Sequence, residues 1–425
     1  MIEELIIHRF RGIYKGHLKD FAGFNLLVGP NNTGKSAVLE MLYLAGVCGR
    51  ECGLVVEATG DRFSAAVPLE NDFLGFNPCP RLWARHGEKE DREKPSTDLK
   101  ESGTLDFHLP LGNEDLLREF RLVPPPSEEV EYGGFSGKDK KSIAVFALPG
   151  APEIPAELIP FKDEIKDLAG YVFLYQWYGQ FIYKNNEKGL STWALGGKRP
   201  DPGRVLFFDF HAAHGNFQLS FFKFAQDLPD WYRKIERSLR KIFPDMTGCR
   251  VEMVPAGEKE MRAQIRLPGR KPLPVDAFGD GARHAFKVLA GLVALVEAVD
   301  ERHPGLFLWE DPELFMHPAT LGRLLAEIIN LVKKKPVQVF ISTQSLEVIA
   351  WFGKMIVDKK LEYRALRTYT LALSKGELQA RVHRGENLKE WLRSGFDPRF
   401  RDITSEETLP FTWYLLTNTK GDPVW

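Results

Sequence analysis

Cysteine is scarce: the 425 residues hold four, Cys48, Cys52, Cys79 and Cys249, with no paired Cys-x-x-Cys. A disulfide scaffold and a zinc ribbon are thereby excluded as organising principles, and a reducing compartment fits best. Long hydrophobic runs are missing as well. No segment approaches the roughly 18 apolar residues of a membrane span. The opening MIEELIIHRFRGIYKG lacks the apolar stretch and small-residue cleavage site of a secretory signal. The expectation is a cytoplasmic protein with no membrane partner. An excess of one charge is also lacking, since 57 Lys+Arg against 58 Asp+Glu leaves a net −1. No global field draws the chain to nucleic acid or lipid, so any anion contact must come from a local patch. Internal repeats, low-complexity tracts and sustained heptads are absent, which excludes a long coiled-coil arm.

What is present is a chain long enough for two or three domains of roughly 150 residues, with 44% hydrophobic residues to fill their cores. Residues 2–7 (IEELII) and 24–28 (FNLLV) are apolar runs of strand length. The second leads into a glycine-rich turn and then into AVLEMLYLAGVCG, whose Val38, Leu39, Leu42 and Ala45 recur at helical spacing. Residues 88–101 are charged and interrupted by Pro95, and read as a solvated loop. Between 104 and 148 the runs TLDFHL, REFRLV and SIAVFAL alternate as antiparallel strands do. A Pro-rich stretch at 149–160 precedes the strand-like GYVFLYQWYGQFIY and RVLFFDF. Residues 217–243 carry a helical pattern, and CRVEMV and RAQIRL a returning strand pair. The last third reads helix 282–299, strand 305–310, helix 319–334, strand 337–342, a helix after Ser345 and a closing strand pair. That alternation predicts a partly parallel α/β sheet.

Gly29-Pro30-Asn31-Asn32-Thr33-Gly34-Lys35-Ser36, followed by Ala37, matches the phosphate-binding loop. Its glycines let backbone N–H groups turn inward to a β-phosphate, Lys35 reaches the β and γ oxygens, and Ser36 supplies a ligand to Mg²⁺. The competing reading, a chance glycine turn, does not account for a strand before it and an amphipathic helix after it. A loop of this kind needs an acidic residue at a neighbouring strand end to hold the metal, and Glu310 closes the run Leu306-Phe307-Leu308-Trp309. Asp311 follows at the strand tip, where a second carboxylate polarises an attacking water. The alternative is an acidic turn, Glu310-Asp311-Pro312-Glu313, that only caps a helix.

HRFRGI…FNLLVGPNNTGKSAVLEML, FGDGARHAFKVLAGL and LFLWEDPELFMHP…VFISTQS together resemble the ATPase heads of the SMC, RecF and OLD-type branch of the ABC-type ATPases. The resemblance covers residues 1–45 and 275–350 closely and the middle in outline. It implies an α/β fold, a P-loop NTPase of the ABC-type head with a mixed sheet, an antiparallel β subdomain and a helical lobe. The implied division is 1–60 as the first part of the head, 61–215 as a β-rich insertion, 216–245 as the helical lobe and 246–425 as the second part of the head. It further implies ATP with Mg²⁺ as the bound species and a homodimer or higher oligomer closing around the nucleotides. Gly279-Asp280-Gly281 stands at the family's signature Ser-x-Gly, which caps the γ-phosphate held by the other subunit. Gly281 opens a helix, so its N–H suits an anion on physical grounds, although an ordinary turn before a helix has the same pattern. Glu310 corresponds to the metal-holding carboxylate, Asp311 to the catalytic base, and 312–318 (PELFMHP) to the loop crossing the dimer interface. Arg11 falls where related heads place an Arg near the nucleotide, a place a surface Arg fills equally well.

Two departures matter. Gln344 stands where the family has a His on the γ-phosphate, and keeps an amide donor but cannot titrate. Gly279 replaces the signature Ser and loses a hydroxyl. Slow or conditional hydrolysis is the expectation. About 75 residues remain after Glu347, too few for the TOPRIM nuclease that many OLD-type chains carry. The resemblance therefore implies an ATPase acting on DNA or controlling a separately encoded nuclease or toxin effector, in DNA repair or anti-phage defence. The rival readings are a non-dimeric P-loop switch or kinase-like enzyme, and a DNA clamp with weak hydrolysis.

His211-x-x-His214 has no third ligand at helical spacing and reads as structural rather than as a metal site. Trp231, Tyr232, Arg233, Lys234, Arg237, Arg240 and Lys241 mix aromatics and cations on one helix, which suits either nucleic-acid phosphates or a solvated face. Lys333-Lys334-Lys335 ends a helix, where cations complement its dipole.

Overall fold

The computed structural model describes residues 1–10, 12–47, 202–388 and 398–399, together with Phe73–Leu74 and the backbone of the strands named between them. The runs REFRLV and SIAVFAL, the stretch 149–160, Cys48, Cys52, Cys79, Arg11 and most of the chain after residue 388 lie outside the described residues.

Alternation of side-chain direction along short apolar strands is what builds the centre of this fold. Strands β1 (Ile2–Phe10), β2 (Ile13–Lys19) and β3 (Phe24–Val28) precede helix α1 (Lys35–Val47). Next come β4 (Val55–Thr59), β5 (Arg62–Pro68), β6 (Thr97–Leu99) and β7 (Thr104–Pro110). β6 falls inside the charged stretch 88–101 that the sequence reads as loop. β8 (Phe173–Tyr175), β9 (Gln180–Asn185), β10 (Gly189–Gly197) and β11 (Val205–Phe208) follow. Then come α2 (Phe210–His214), β12 (Phe217–Gln218), α3 (Leu219–Gln226) and α4 (Trp231–Ile242). After them are β13 (Arg250–Pro255), β14 (Glu260–Arg266), β15 (Leu273–Pro274) and α5 (Asp280–Ala298). The chain continues with β16 (Gly305–Glu310), α6 (Pro318–Val332), β17 (Val337–Thr343), α7 (Leu346–Val357), β18 (Leu366–Ser374) and β19 (Glu377–Arg384).

Eleven strands form one sheet in the order β11-β16-β17-β3-β18-β19-β2-β1-β10-β9-β8. From β11 to β18 every pairing is parallel, and beyond β18 only the β19–β2 contact is. The fold is thus α/β with a mixed sheet. β4 to β7 make a separate four-stranded antiparallel sheet. β8 to β10 instead extend the eleven-stranded sheet through β1, and β11 sits beside β16 in its parallel half. Part of the stretch expected at 61–215 as a β-rich insertion thus joins the eleven-stranded sheet.

The parallel half is buried on both faces. Leu27, Leu306, Leu308 and Phe340 face Val38, Leu39, Leu42 and Tyr43 of α1. Their neighbours Leu26, Val28, Phe307, Trp309, Val339 and Ile341 face the layer of α3 to α7. Parallel strands covered on both faces read as continuous apolar runs, which is why 305–310 and 337–342 could not show a period of two.

Candidate functional site

The phosphate loop leaves the end of β3 and enters α1. Gly29 has φ +143° and Gly34 φ +89°, conformations that L side chains avoid. At Gly29 a Cβ would stand 2.6 Å from the Leu371 carbonyl oxygen, so the position admits only glycine. Asn32 adopts the left-handed region as well, at φ +63°, which Asn tolerates better than most residues. The Thr33 hydroxyl donates to the Pro30 carbonyl at 2.9 Å. The Lys35 ammonium donates to the carbonyls of Gly29 at 2.8 Å and Pro30 at 2.7 Å. Only 9% of Lys35 is exposed. Burial pushes its ammonium below the ordinary value, opposed by the carboxylates of Asp311, Glu313 and Glu310. Three acids attract one buried cation and oppose the effect of its burial.

Those acids reach the loop because β16 and β17 lie next to β3. Val28 is in register with Thr343, Ser342 with Glu310, and Trp309 with Phe208. The ends of β3, β17, β16 and β11 therefore stand side by side, about 4.8 Å apart per strand, at the carboxyl edge where open parallel sheets bind ligands. A cavity of about 810 Å³ opens there, lined by Asn31 to Ala37, Glu310, Asp311 and Gln344 among others. Asp311 takes a left-handed φ of +45° while its N–H donates to the Ser342 carbonyl at 2.9 Å. Ser36, Glu310 and Asp311 offer only oxygen donors, a set that suits Mg²⁺. Among the described residues no group of three or more His, Cys, Asp or Glu side chains forms a metal cage. A Mg²⁺ here would therefore take few ligands from the protein and the rest from phosphate and water.

Gly279 and Gly281 do not line this cavity. Gly279 caps α5, and Gly281 packs on the loop after β16, where a Cβ would stand 2.9 Å from the Phe315 carbonyl oxygen. That loop and α2 expose an apolar rim beside the cavity: Phe210 is 50% exposed, Phe315 42% and Leu314 38%. The Phe210 and Phe315 rings lie 6.2 Å apart, and the His214 ring lies 4.2 Å from that of Phe210, tilted by 35°.

Sequence reasoning missed three contributors. His211, read from the sequence as half of a structural pair, lines the same cavity, as does Glu40 on α1. Its neighbour His214 instead shares a 2.8 Å hydrogen bond with the Phe210 carbonyl. Glu313 is the third: its Oε1 accepts from the Thr343 hydroxyl at 2.8 Å and the Gln344 N–H at 3.2 Å. Burial pushes the Glu313 carboxyl up, opposed by these donors. The end of β11 carries no motif, so only strand order brings His211 to the site. Glu313 lies in an acidic turn whose signal Glu310 and Asp311 had absorbed.

The α4 face behaves differently from a phosphate platform. Trp231 is buried and donates its indole N–H to the Ala290 carbonyl at 3.0 Å, so it offers no base-stacking surface. Arg233 pairs with Asp230, Lys234 with Glu297 and Lys241 with Glu327. A second basic surface is the outer face of the β12-β14-β13 sheet. Met261, Ala263 and Ile265 point into the core while Arg262 and Arg266 point out, with Arg270 and Lys271 in the exposed turn beyond. Arg250 is in register with Arg266. Two cations directly opposite each other repel, and here each is offset by its own acid, Glu236 and Glu252. Arg262, Arg270 and Lys271 have no ion-pair partner among the described residues.

A family profile described as "AAA domain, putative AbiEii toxin, Type IV TA system" matches residues 263–350. The DNA replication and repair protein RecF of Vibrio parahaemolyticus serotype O3:K6 (strain RIMD 2210633) is 49% identical over 45 residues, 11% of this chain and 12% of that protein. RecF of Yersinia pseudotuberculosis serotype O:1b (strain IP 31758) is likewise 49% identical over 45 residues, with the same shares. The chain thus covers about an eighth of these relatives. Among solved structures, an SMC head bound to the C-terminal winged-helix domain of ScpA aligns over 92% of this chain and 99% of its own, at 12% identity and TM-score 0.41. The SMC head domain from Thermotoga maritima covers 89% and 98%, at 10% identity and TM-score 0.35. In its phosphate loop and in the stretches matched by the family profile and by RecF, this chain is similar to ABC-type P-loop ATPases of the SMC/RecF family.

Proposed function

We propose that the chain binds and hydrolyses MgATP, and that a second copy completes the site. The observation that carries this reading is the convergence of Lys35, Ser36, Glu310, Asp311 and Gln344 on one cavity at four adjacent strand ends. In this reading the inward N–H groups of residues 29–36 and the Lys35 ammonium bind the phosphates. Ser36 and Glu310 would hold Mg²⁺, which when bound would supply charge neutralisation for the phosphates. Asp311 orients the attacking water and accepts its proton, and the Gln344 amide donates to a γ-phosphate oxygen. Because Gln344 cannot take up a proton, turnover is slow until another group completes the constellation.

Dimerisation is supported by Gly279 and Gly281 standing away from their own cavity, and by the exposed rim of Phe210, Leu314 and Phe315 beside it. Apolar side chains exposed together are the ordinary mark of a docking surface. Contact with DNA is supported by the outward arginines of β13 and β14 and the turn after them. The toxin system named in the matched family profile supports control of a separately encoded effector. No helix among the described residues is long and apolar enough to cross a membrane, which is compatible with a cytoplasmic setting. ATP turnover measured over a range of protein concentrations tests the core of the reading. Turnover that rises faster than linearly supports a site shared between copies, strict proportionality removes that part, and no turnover with Mg²⁺ and DNA present removes the ATPase assignment.

A further inference from the structure

The turn after β16 and the turn after β17 each deliver one cavity residue, Asp311 and Gln344, and a single side chain joins them. Glu313 Oε1 accepts from both the Thr343 hydroxyl and the Gln344 N–H. The same Thr343 oxygen accepts from the Ser345 N–H at 2.9 Å, so three consecutive residues of the β17 turn are linked to one carboxylate. From the other side, Arg399 donates to the Gln344 carbonyl at 2.9 Å. Gln344 is thus held at both its backbone N–H and its C=O, and the residue borders the cavity. Within its own turn Glu313 is equally fixed. Its carbonyl accepts from the Met316 N–H at 3.2 Å, and the Leu314 N–H donates to the Asp311 carbonyl at 3.0 Å. The Phe315 carbonyl of that turn rests on Gly281. Glu313 Oε2 is buried and finds no donor among the described residues, so this carboxyl acts through Oε1 alone.

We propose that Glu313 is a positioning residue for hydrolysis: its Oε1 locks Gln344 in register with Asp311 without touching the nucleotide. The proposal rests on the ATPase reading and adds to it a residue that sets the distance between the water-side and phosphate-side groups. A small misplacement of such groups costs far more rate than affinity, because only the transition state requires both at once. An acceptor rather than a charge is what the two donors need, so an amide oxygen can take its place.

The test compares Glu313→Ala with Glu313→Gln in the full chain. In Glu313→Ala, turnover falls about tenfold or more while the dissociation constant for ATP stays within about twofold, since the phosphate loop is intact. Amide hydrogen exchange of a peptide containing Gln344 rises about tenfold in the same variant, through loss of its acceptor. Glu313→Gln stays within about threefold of the parent in both turnover and exchange. Unchanged exchange and turnover in Glu313→Ala overturns the proposal. So does loss of ATP affinity in step with turnover, which marks a merely structural side chain, and so does a Glu313→Gln protein as impaired as Glu313→Ala. A parent chain with no turnover overturns the ATPase reading and this role with it, whereas an active parent and an indifferent Glu313→Ala overturn this role alone.

Discussion

Gly281→Ala sets two local effects against each other. Position 281 lies in the first turn of α5, and alanine in a helix is favoured over glycine by up to about 1 kcal/mol in an interior, less near the end. Against this, the new Cβ would stand 2.9 Å from the Phe315 carbonyl oxygen and 3.4 Å from Met316 Sδ. The Met sulfur can swing away. The carbonyl belongs to a residue held at φ +65° in a turn tied by the Met316 N–H to Glu313, so the backbone itself must move. Overpacking of this kind costs about 1–3 kcal/mol, which exceeds the helix gain. The expected result is a net loss of about 1–2 kcal/mol in urea unfolding. The turn that carries Asp311 moves with Phe315, so turnover at saturating ATP falls while ATP affinity does not. A Gly281→Ala protein that is more stable than the parent, with unchanged turnover, would refute the claim that the turn after β16 is seated on the start of α5.

Lys35→Ala removes the buried ammonium that the phosphates would engage, and a charge-assisted hydrogen bond is worth about 1.5–3 kcal/mol, so calorimetric ATP affinity should fall by about tenfold to a hundredfold. His284 is 3% exposed between Phe208 and Trp309, and burial pushes it from 6.5 down to about 4. As pH falls the unfolded chain takes up this proton first, so stability is complete above 6.5 and is lost toward pH 4, by about 3 kcal/mol at most. Unfolding midpoints of His284→Phe between pH 7 and 4.5 should show a shallower slope. A remainder comes from His383, also pushed down to about 4 by burial; an unaltered slope would remove His284 as the cause. Replacing Arg262, Arg270 and Lys271 together by Glu should weaken duplex DNA binding and lower the salt slope by about 0.9 per lost contact, with DNA-independent ATP turnover unchanged. Unaltered DNA affinity at low salt would take the contact away from this face.

Much of the site was legible because its chemistry is carried by consecutive residues. The loop 29–36 needs glycine at the positions that turn inward, and Gly29 and Gly34 hold the positive φ angles this demands. β16 and β17 were legible as apolar runs ending in polar residues, since strands buried on both faces have no polar side to show. The helix from Asp280 and the closing pair β18–β19 also follow the spacing of their apolar positions. Other parts depended on partners far along the chain. β11 is as apolar as β16, yet nothing within it says that Phe208 pairs with Trp309 and so brings His211 to the cavity. The cations of α4 share a face by spacing, but whether that face meets solvent or acids was decided by Glu297 and Glu327 on α5 and α6.

The sequence by itself determined the local patterns: a phosphate loop after a buried strand, two carboxylates at a strand tip, and a glycine turn opening a helix. Each is a short-range pattern whose backbone geometry follows from a few adjacent residues. Tertiary structure alone decided which of these meet. It put β17 between β3 and β16, so that Lys35 and Asp311 face one cavity, and it set Gly281 outside that cavity against Phe315. It also gave Glu313 its donors from the β17 turn. The physical reason is that strand order and register are set by long-range pairing and by burial on two faces, which no local spacing encodes.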